Sequence, residues 1–228
     1  MTKTTEKKRD VVILFAGDSG DGMQLTGSLF SNTSAEYGND ISTFPNFPAE
    51  IRAPQGTVAG VSGFKLQFAS VDIFTAGDEV DVLVSMNAAA LKANLSQLKR
   101  GGTIIANTSG FDKKNLRLAK YGDAESPLLD DSLEEYRVIE IDISKMTKEA
   151  LVDSGLGAKE IERCKNMLVL GFLYWMYNRK LENTEVFIKN KFAKKQQIMD
   201  ANIKALKAGY YFGDTNETFT SRYEVESA

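Results

Sequence analysis

Gly17-Asp18-Ser19-Gly20-Asp21-Gly22 is the stretch of this chain best placed to do chemistry. It follows the apolar run Val11–Ala16 directly and precedes a helical pattern that starts near Met23. A strand that ends in closely spaced glycines and feeds a helix sets backbone N–H groups at the carboxyl edge of a sheet, where open α/β proteins bind ligands. Such amides could cradle a phosphate on the amino end of the helix. The spacing is not that of a dinucleotide fingerprint, however, and the lysine of a P-loop is missing. Asp18 and Asp21 would themselves satisfy the helix dipole and repel a phosphate by like charge. Two readings stand: a ligand or subunit contact, or a structural tight turn with Asp21 as the helix cap.

A second candidate is the loop Phe47-Pro48-Ala49-Glu50-Ile51-Arg52-Ala53-Pro54-Gln55-Gly56, stiffened by proline. Long ordered loops are disproportionately functional. The Arg52 guanidinium could take a carboxylate or phosphate in bidentate fashion. The alternative is an internal pair with Glu50, Asp18 or Asp21 that only pins the two loops together. Asn87 stands at the end of an apolar run, in the right place for a ligand contact, yet helix capping alone would explain it. Lys189, Lys191, Lys194 and Lys195 read as a solvated face, since no aromatic interleaving suggests base stacking.

Composition narrows the chemistry. With 43% hydrophobic and 26% charged residues and a net charge of −3, the chain is an ordinary globular protein with no call for nucleic acid. It has no secretory signal, and its longest uncharged apolar run, Met167–Tyr177, is shorter than the roughly 17 residues that span a bilayer. A cytoplasmic protein with no membrane association is expected. There is no histidine, the commonest general acid/base and metal ligand. Cys164 is the single cysteine, so the chain alone can form neither a disulfide nor a protein-ligated iron–sulfur cluster. Its place on the periodic face of an apolar segment reads as core packing rather than reactivity.

The positioning elements follow from periodicity. Val11–Ala16 and Val80–Met86 read as buried strands, Ile41–Phe44 and Thr103–Ala106 as short ones. Thr57–Ala69 alternates as a half-exposed strand does, and Tyr136–Ile143 as an edge or half-exposed one. Helices are expected over Met23–Tyr37, over Ala88–Arg100 with Gly101-Gly102 as the stop, over Lys159–Tyr177 and over Val186–Tyr210, closed by Gly209. Strands alternating with helices give a doubly wound α/β domain over residues 10–210, with residues 1–9 as a tail and 211–228 as a linker or C-terminal tail.

The two loops together carry a resemblance. Gly17 to Gly27, followed by Phe47 to Thr57, resembles the gamma-type domain of 2-oxoacid:ferredoxin oxidoreductases, most of all the form opening the alpha subunit of the 2-oxoglutarate enzyme. The similarity continues through Asp81-Val82-Leu83-Val84, Gly101-Gly102, Lys165-Asn166-Met167 with Gly171, and Asn202, Ala205-Leu206 and Gly209-Tyr210. Asp18, Asp21 and Ala53-Pro54 depart from much of the family and fit the 2-oxoglutarate branch better than the pyruvate branch.

The resemblance implies a single Rossmann-like domain, a mostly parallel sheet with helices on both faces. It implies an enzyme that is active only within a complex. That complex decarboxylates a 2-oxoacid on thiamine diphosphate, passes electrons through iron–sulfur clusters to ferredoxin, and transfers the acyl group to coenzyme A. Thiamine diphosphate, its magnesium and the clusters would sit in partner domains or subunits. The partners would be a thiamine-binding domain and a beta subunit, in an oligomer. The amides of Gly17, Asp18, Ser19, Gly20, Asp21 and Gly22 with Arg52 would shape the coenzyme A mouth, with Gln55 and Asn87 as secondary contacts and no catalytic residue here. In the family's alpha subunit a thiamine-type domain follows, so a piece of a longer subunit is expected, and a separate gamma subunit is the alternative. An independent nucleotide- or flavin-binding redox domain and a purely structural assembly domain are the rival readings.

Overall fold

The charge-free run after Asp10 becomes the centre of the molecule because both of its faces are buried. In the computed structural model, which describes residues 4–50, 53–122, 125–216, 219 and 221–228, strand β2 spans Asp10–Asp18. Val11, Ile13 and Phe15 point into one apolar cluster, and Val12, Leu14 and Ala16 into the other. This is the period-two consequence of the pleat.

The other strands are β1 (Thr4–Lys7), β3 (Asp40–Asn46), β4 (Val61–Ala69), β5 (Val80–Ser85), β6 (Leu98–Asn107), β7 (Arg137–Ile141) and β8 (Ser221–Glu224). Six of them form one sheet in the order β3-β4-β2-β5-β6-β7. β2, β5, β6 and β7 run parallel, while β4 is antiparallel to both β2 and β3. The expected mostly parallel α/β architecture is thus observed, with β7 at one edge, one of the two placements its alternation allows. Pro45 lies within β3, and it is tolerated because β3 is the other edge.

Helix α1 (Met23–Glu36) covers one face together with α6 (Lys165–Met176), and α2 (Ala88–Asn94) and α3 (Lys113–Leu118) cover the other. The remaining helices are α4 (Ile143–Ala150), α5 (Ala158–Arg163), α7 (Glu182–Lys191) and α8 (Gln196–Thr215). From Asn166 onward α6 is buried all round, as a uniformly apolar helix must be. It lies between the sheet and α8. An added Cβ at Gly171 would stand 1.9 Å from the Leu206 carbonyl oxygen, and one at Gly209 1.9 Å from that of Leu168. The two glycines are what allow the helix backbones to touch.

Several expectations are corrected. The helix after Asn87 stops at Asn94 and a 3-10 turn, and β6 already begins at Leu98. Gly101-Gly102 therefore sit inside a strand, where the pairing with β5 shifts register, and do not end a helix. The segment expected as one helix over Lys159–Tyr177 is α5 and α6, divided at Cys164, and the next is α7 and α8. Gly209 does not close α8, which continues to Thr215, because its role is the crossing with α6. α3 and α4 were not anticipated, although Ile143, Met146, Thr147 and Leu151 recur at helical spacing along the buried side of α4. The flanking segments also hold structure: β1 and β8 pair in parallel, Phe219 is 8% exposed, and Val225 is fully buried. Cys164 is buried as expected, and burial pushes its thiol up to about 11.

Candidate functional site

β2 and β5 end side by side at the carboxyl edge of the sheet, with the Met86 amide bonded to the Ala16 carbonyl at 3.0 Å. The chain leaving β2 turns at once. The Asp21 amide donates to the Asp18 carbonyl at 2.9 Å, and the Asp18 amide donates to Asp21 Oδ2 at 2.9 Å. Gly22 then adopts φ 77°, a left-handed conformation that suits glycine, and enters α1. A Cβ at Gly22 would stand 2.6 Å from Asn166 Nδ2 at the start of α6, so the loop is pressed onto that helix.

Asp21 is not the helix cap. The N-cap is Gly22, with no side-chain bond to the helix. Asp21 Oδ1 instead lies 2.9 Å from Lys165 Nζ, with the two side chains only 11% and 14% exposed. Lys165 also reaches Glu162 Oε1 at 3.0 Å. Burial alone would lower the Lys165 ammonium, but Asp21 and Glu162 outweigh it and hold it above its ordinary value. The loop lacks a lysine in its own sequence, yet α6 supplies one.

Asp18 faces the second loop. Both of its carboxylate oxygens accept from the Gly56 amide, at 2.9 and 3.0 Å. Burial raises its pKa, opposed by the Gly56 amide, reinforced by Asp21, and opposed again by the side chains of Asn87 and Lys165. Gln55 comes down over the turn, its Nε2 3.4 Å from where a Gly20 Cβ would be. Asn87 caps α2 by accepting from the Ala90 amide at 2.8 Å, and its side chain lies close enough to Asp18 to favour that carboxylate's charged form.

The structure thus brings Gly17 to Gly22, Gln55 and Asn87 to one edge, with Ser19 and Gly20 exposed. Arg52 lies outside the described residues. Among the described residues, the pinning between the two loops is made by Asp18 and the Gly56 amide. The amides of Ser19, Gly20 and Gly22 meet no acceptor among the described residues.

A partly buried polar relay escaped the sequence reading. Glu162 accepts from Ser144 Oγ at 3.2 Å, Asn107 Nδ2 reaches that hydroxyl at 3.4 Å, and the same amide donates to the Met86 carbonyl at 3.1 Å. The ends of β2, β5 and β6 and the start of α4 are therefore tied through Lys165. The available signal was the polar pair Lys165-Asn166 opening a wholly apolar helix, which solvation alone does not explain.

The sequence model of the pyruvate ferredoxin/flavodoxin oxidoreductase family matches residues 12–212. The chain belongs to this family. It is 50% identical over 223 residues to the 2-oxoglutarate oxidoreductase subunit KorA of Mycobacterium tuberculosis, a match covering 98% of this chain and 34% of that subunit. The chain thus spans about a third of the length of this curated relative. Solved structures share the fold. The 2-oxoglutarate:ferredoxin oxidoreductase of Magnetococcus marinus, determined with 2-oxoglutarate, coenzyme A and succinyl-CoA bound, superposes with a TM-score of 0.73 at 24% identity, over 96% of this chain and 33% of that one. The pyruvate oxidoreductase subunit PORC of Thermotoga maritima gives 0.57 at 21% identity, over 90% of this chain and 97% of that one. A keto/oxoacid ferredoxin oxidoreductase gamma subunit from Geobacter sulfurreducens gives 0.59 at 18%, over 90% and 96%. The family resemblance seen in the two loops is borne out.

Proposed function

We propose that this chain is the gamma-type domain of a coenzyme A-acylating 2-oxoacid:ferredoxin oxidoreductase whose oxoacid is 2-oxoglutarate. The observation that carries the reading is the 50% identity, spread over nearly the whole chain, to a subunit named for 2-oxoglutarate. Within that complex the domain binds and orients. The unpaired amides of Ser19, Gly20 and Gly22 and the side chain of Gln55 form the lip along which coenzyme A approaches, Asn87 supports it from beneath, and Arg52 is assigned a contact to the same ligand. Coenzyme A supplies the thiol that accepts the acyl group. The fit lies in three amide donors with no described acceptor, beside carboxylates already engaged with Gly56 and Lys165.

Thiamine diphosphate, magnesium and iron–sulfur clusters belong in this reading to partner domains and the beta subunit. A cluster needs several thiolates, and the one cysteine here is buried with its thiol held protonated. Electrons leave the complex to ferredoxin. No helix among the described residues is long and apolar enough to cross a membrane, and the proposed setting is the cytoplasm.

The test is reduction of a low-potential viologen by the purified complex. Activity should require both 2-oxoglutarate and coenzyme A and be at least tenfold lower with pyruvate, roughly 1.4 kcal/mol of discrimination. Arg52→Ala should slow acyl transfer to coenzyme A more than decarboxylation. Equal rates with both oxoacids would overturn the substrate assignment, and equal slowing of both steps would overturn the role of the lip.

A further inference from the structure

At the edge of the sheet opposite the glycine loop, the starts of β2, β5 and β7, the first half of β6 and the β1–β8 ribbon enclose a cleft of about 480 Å³. That is the size of a small-molecule site. Its most telling group is Tyr177. The ring is 2% exposed, set edge-on to Phe30 and Phe68 with centroids at 5.8 and 5.3 Å, and tilted against Tyr223 at 5.8 Å. The residue nevertheless lines the cleft, and its hydroxyl has no hydrogen-bond partner among the described residues. A phenol clamped by three rings cannot turn to find one, so the hydroxyl is the end it presents to the cleft.

The cleft wall carries more cations than carboxylates, and Asp81 is the charge that acts most on the hydroxyl. Lys8, Arg9, Lys99 and Arg137 line the cleft against two carboxylates, Asp10 and Asp81, in a chain whose net charge is −3. Asp81 is already engaged: one oxygen takes the Lys99 ammonium and the other takes the Val12 amide at 2.7 Å. Arg9 and Arg137 have no carboxylate partner among the described residues, and Arg137 donates to the Tyr223 hydroxyl at 2.9 Å. The carboxyl end of α6, which stops at Met176 beside the cleft, accounts for part of this positive charge. It does not account for a buried phenol on the same wall as two guanidinium groups that have no carboxylate partner among the described residues.

We propose that this cleft binds the oxyanion group, phosphate or carboxylate, of a small molecule, with Arg9 and Arg137 supplying charge and the Tyr177 hydroxyl the directed hydrogen bond. The proposal is independent of the reading of the glycine loop. Its test is calorimetric titration of the complex containing this chain with inorganic phosphate and, separately, with acetate, at fixed ionic strength so that screening stays constant.

Saturable binding of either probe is expected, and the probe that binds tells a phosphate-bearing ligand from a carboxylate. Tyr177→Phe keeps the ring and should weaken binding roughly threefold to tenfold, the loss of one hydrogen bond. Arg9→Met and Arg137→Met should each weaken it roughly tenfold or more. Arg9 is exposed and its replacement leaves the fold intact. Failure of both probes to saturate the wild-type complex overturns the proposal, including the case where only poly-glutamate, standing for an acidic protein segment, binds. Equal affinity in wild type, Tyr177→Phe and Arg9→Met overturns it as well.

Discussion

Lys165→Met removes the ammonium that joins the glycine loop to α6 while keeping much of the side chain's bulk. The pair with Asp21 is 2.9 Å long and nine-tenths buried on the aspartate side, with Lys165 only 14% exposed. Deleting one partner of such a pair costs about 3–5 kcal/mol, chiefly because the other charge is left buried and alone. The lower end, about 3 kcal/mol, applies here because Glu162 is 38% exposed and can turn to solvent. For a domain of this size that lowers Tm by roughly 6–12 °C. Calorimetry on wild type, Lys165→Met, Asp21→Asn and the double variant checks it. The double variant should recover about 2 kcal/mol relative to the sum of the singles, since the orphaned carboxylate is gone. Because the Lys165 ammonium is held above its ordinary 10.5, the pair's contribution is complete below that pH and fades as the pH rises through the folded value. The gap between wild type and Lys165→Met should therefore be level near neutrality and close in strong alkali. A Tm shift under about 2 °C, or strict additivity in the double variant, refutes the reasoning.

Gly209→Ala should destabilise by about 3 kcal/mol or more in urea unfolding, since its Cβ would fall 1.9 Å from a backbone oxygen of α6; a loss under about 1 kcal/mol would mean the helices are not in backbone contact. Cys164, with its thiol near 11 and its side chain buried, should react with an aromatic disulfide at about pH 8 only over hours in the folded protein and at once in urea; prompt reaction in the native state counts against its burial. Asp18 carries a pKa raised by burial, so ionisation weakens the fold as the pH rises through the folded value. Asp18→Asn keeps an acceptor for the Gly56 amide, and its stability relative to wild type should be higher at about pH 7 than at about pH 4, as denaturant titrations at both would show.

How much of this was legible in the sequence depends on which force sets each element. β2, β5 and β7 were readable because apolar runs and alternation are direct consequences of burial on two faces or one. Gly101-Gly102 misled because glycine after a helical stretch has two meanings, a stop or a demand made elsewhere in the fold for a residue without Cβ. Gly101, at φ 73° with open space around it, meets the second at the register shift between β5 and β6, which only strand pairing reveals. The same ambiguity hid Gly209, which continues α8 while making room for α6. β8 was invisible because a polar strand is held here by one partner, β1, and by Phe219 and Val225 buried outside any periodic pattern.

The site shows the limit more sharply. From sequence, Asp18 and Asp21 make the glycine loop an acidic surface that should repel anions. Folding reduces that charge without removing it, because each carboxylate is engaged internally: Asp18 holds the Gly56 amide and Asp21 holds both the Asp18 amide and Lys165. What remains outward is Ser19 and Gly20 with their backbone donors. Local sequence could not reveal this, since the compensating lysine is 144 positions beyond Asp21, at the opening of α6. A loop whose carboxylates are spent on its own scaffold is rigid before any ligand arrives, and the ordering cost that a flexible glycine turn would impose on binding is met by the fold instead. Breaking Lys165 from Asp21 should therefore loosen the lip and the domain together, which ties any binding role of the loop to the same ion pair that stabilises it.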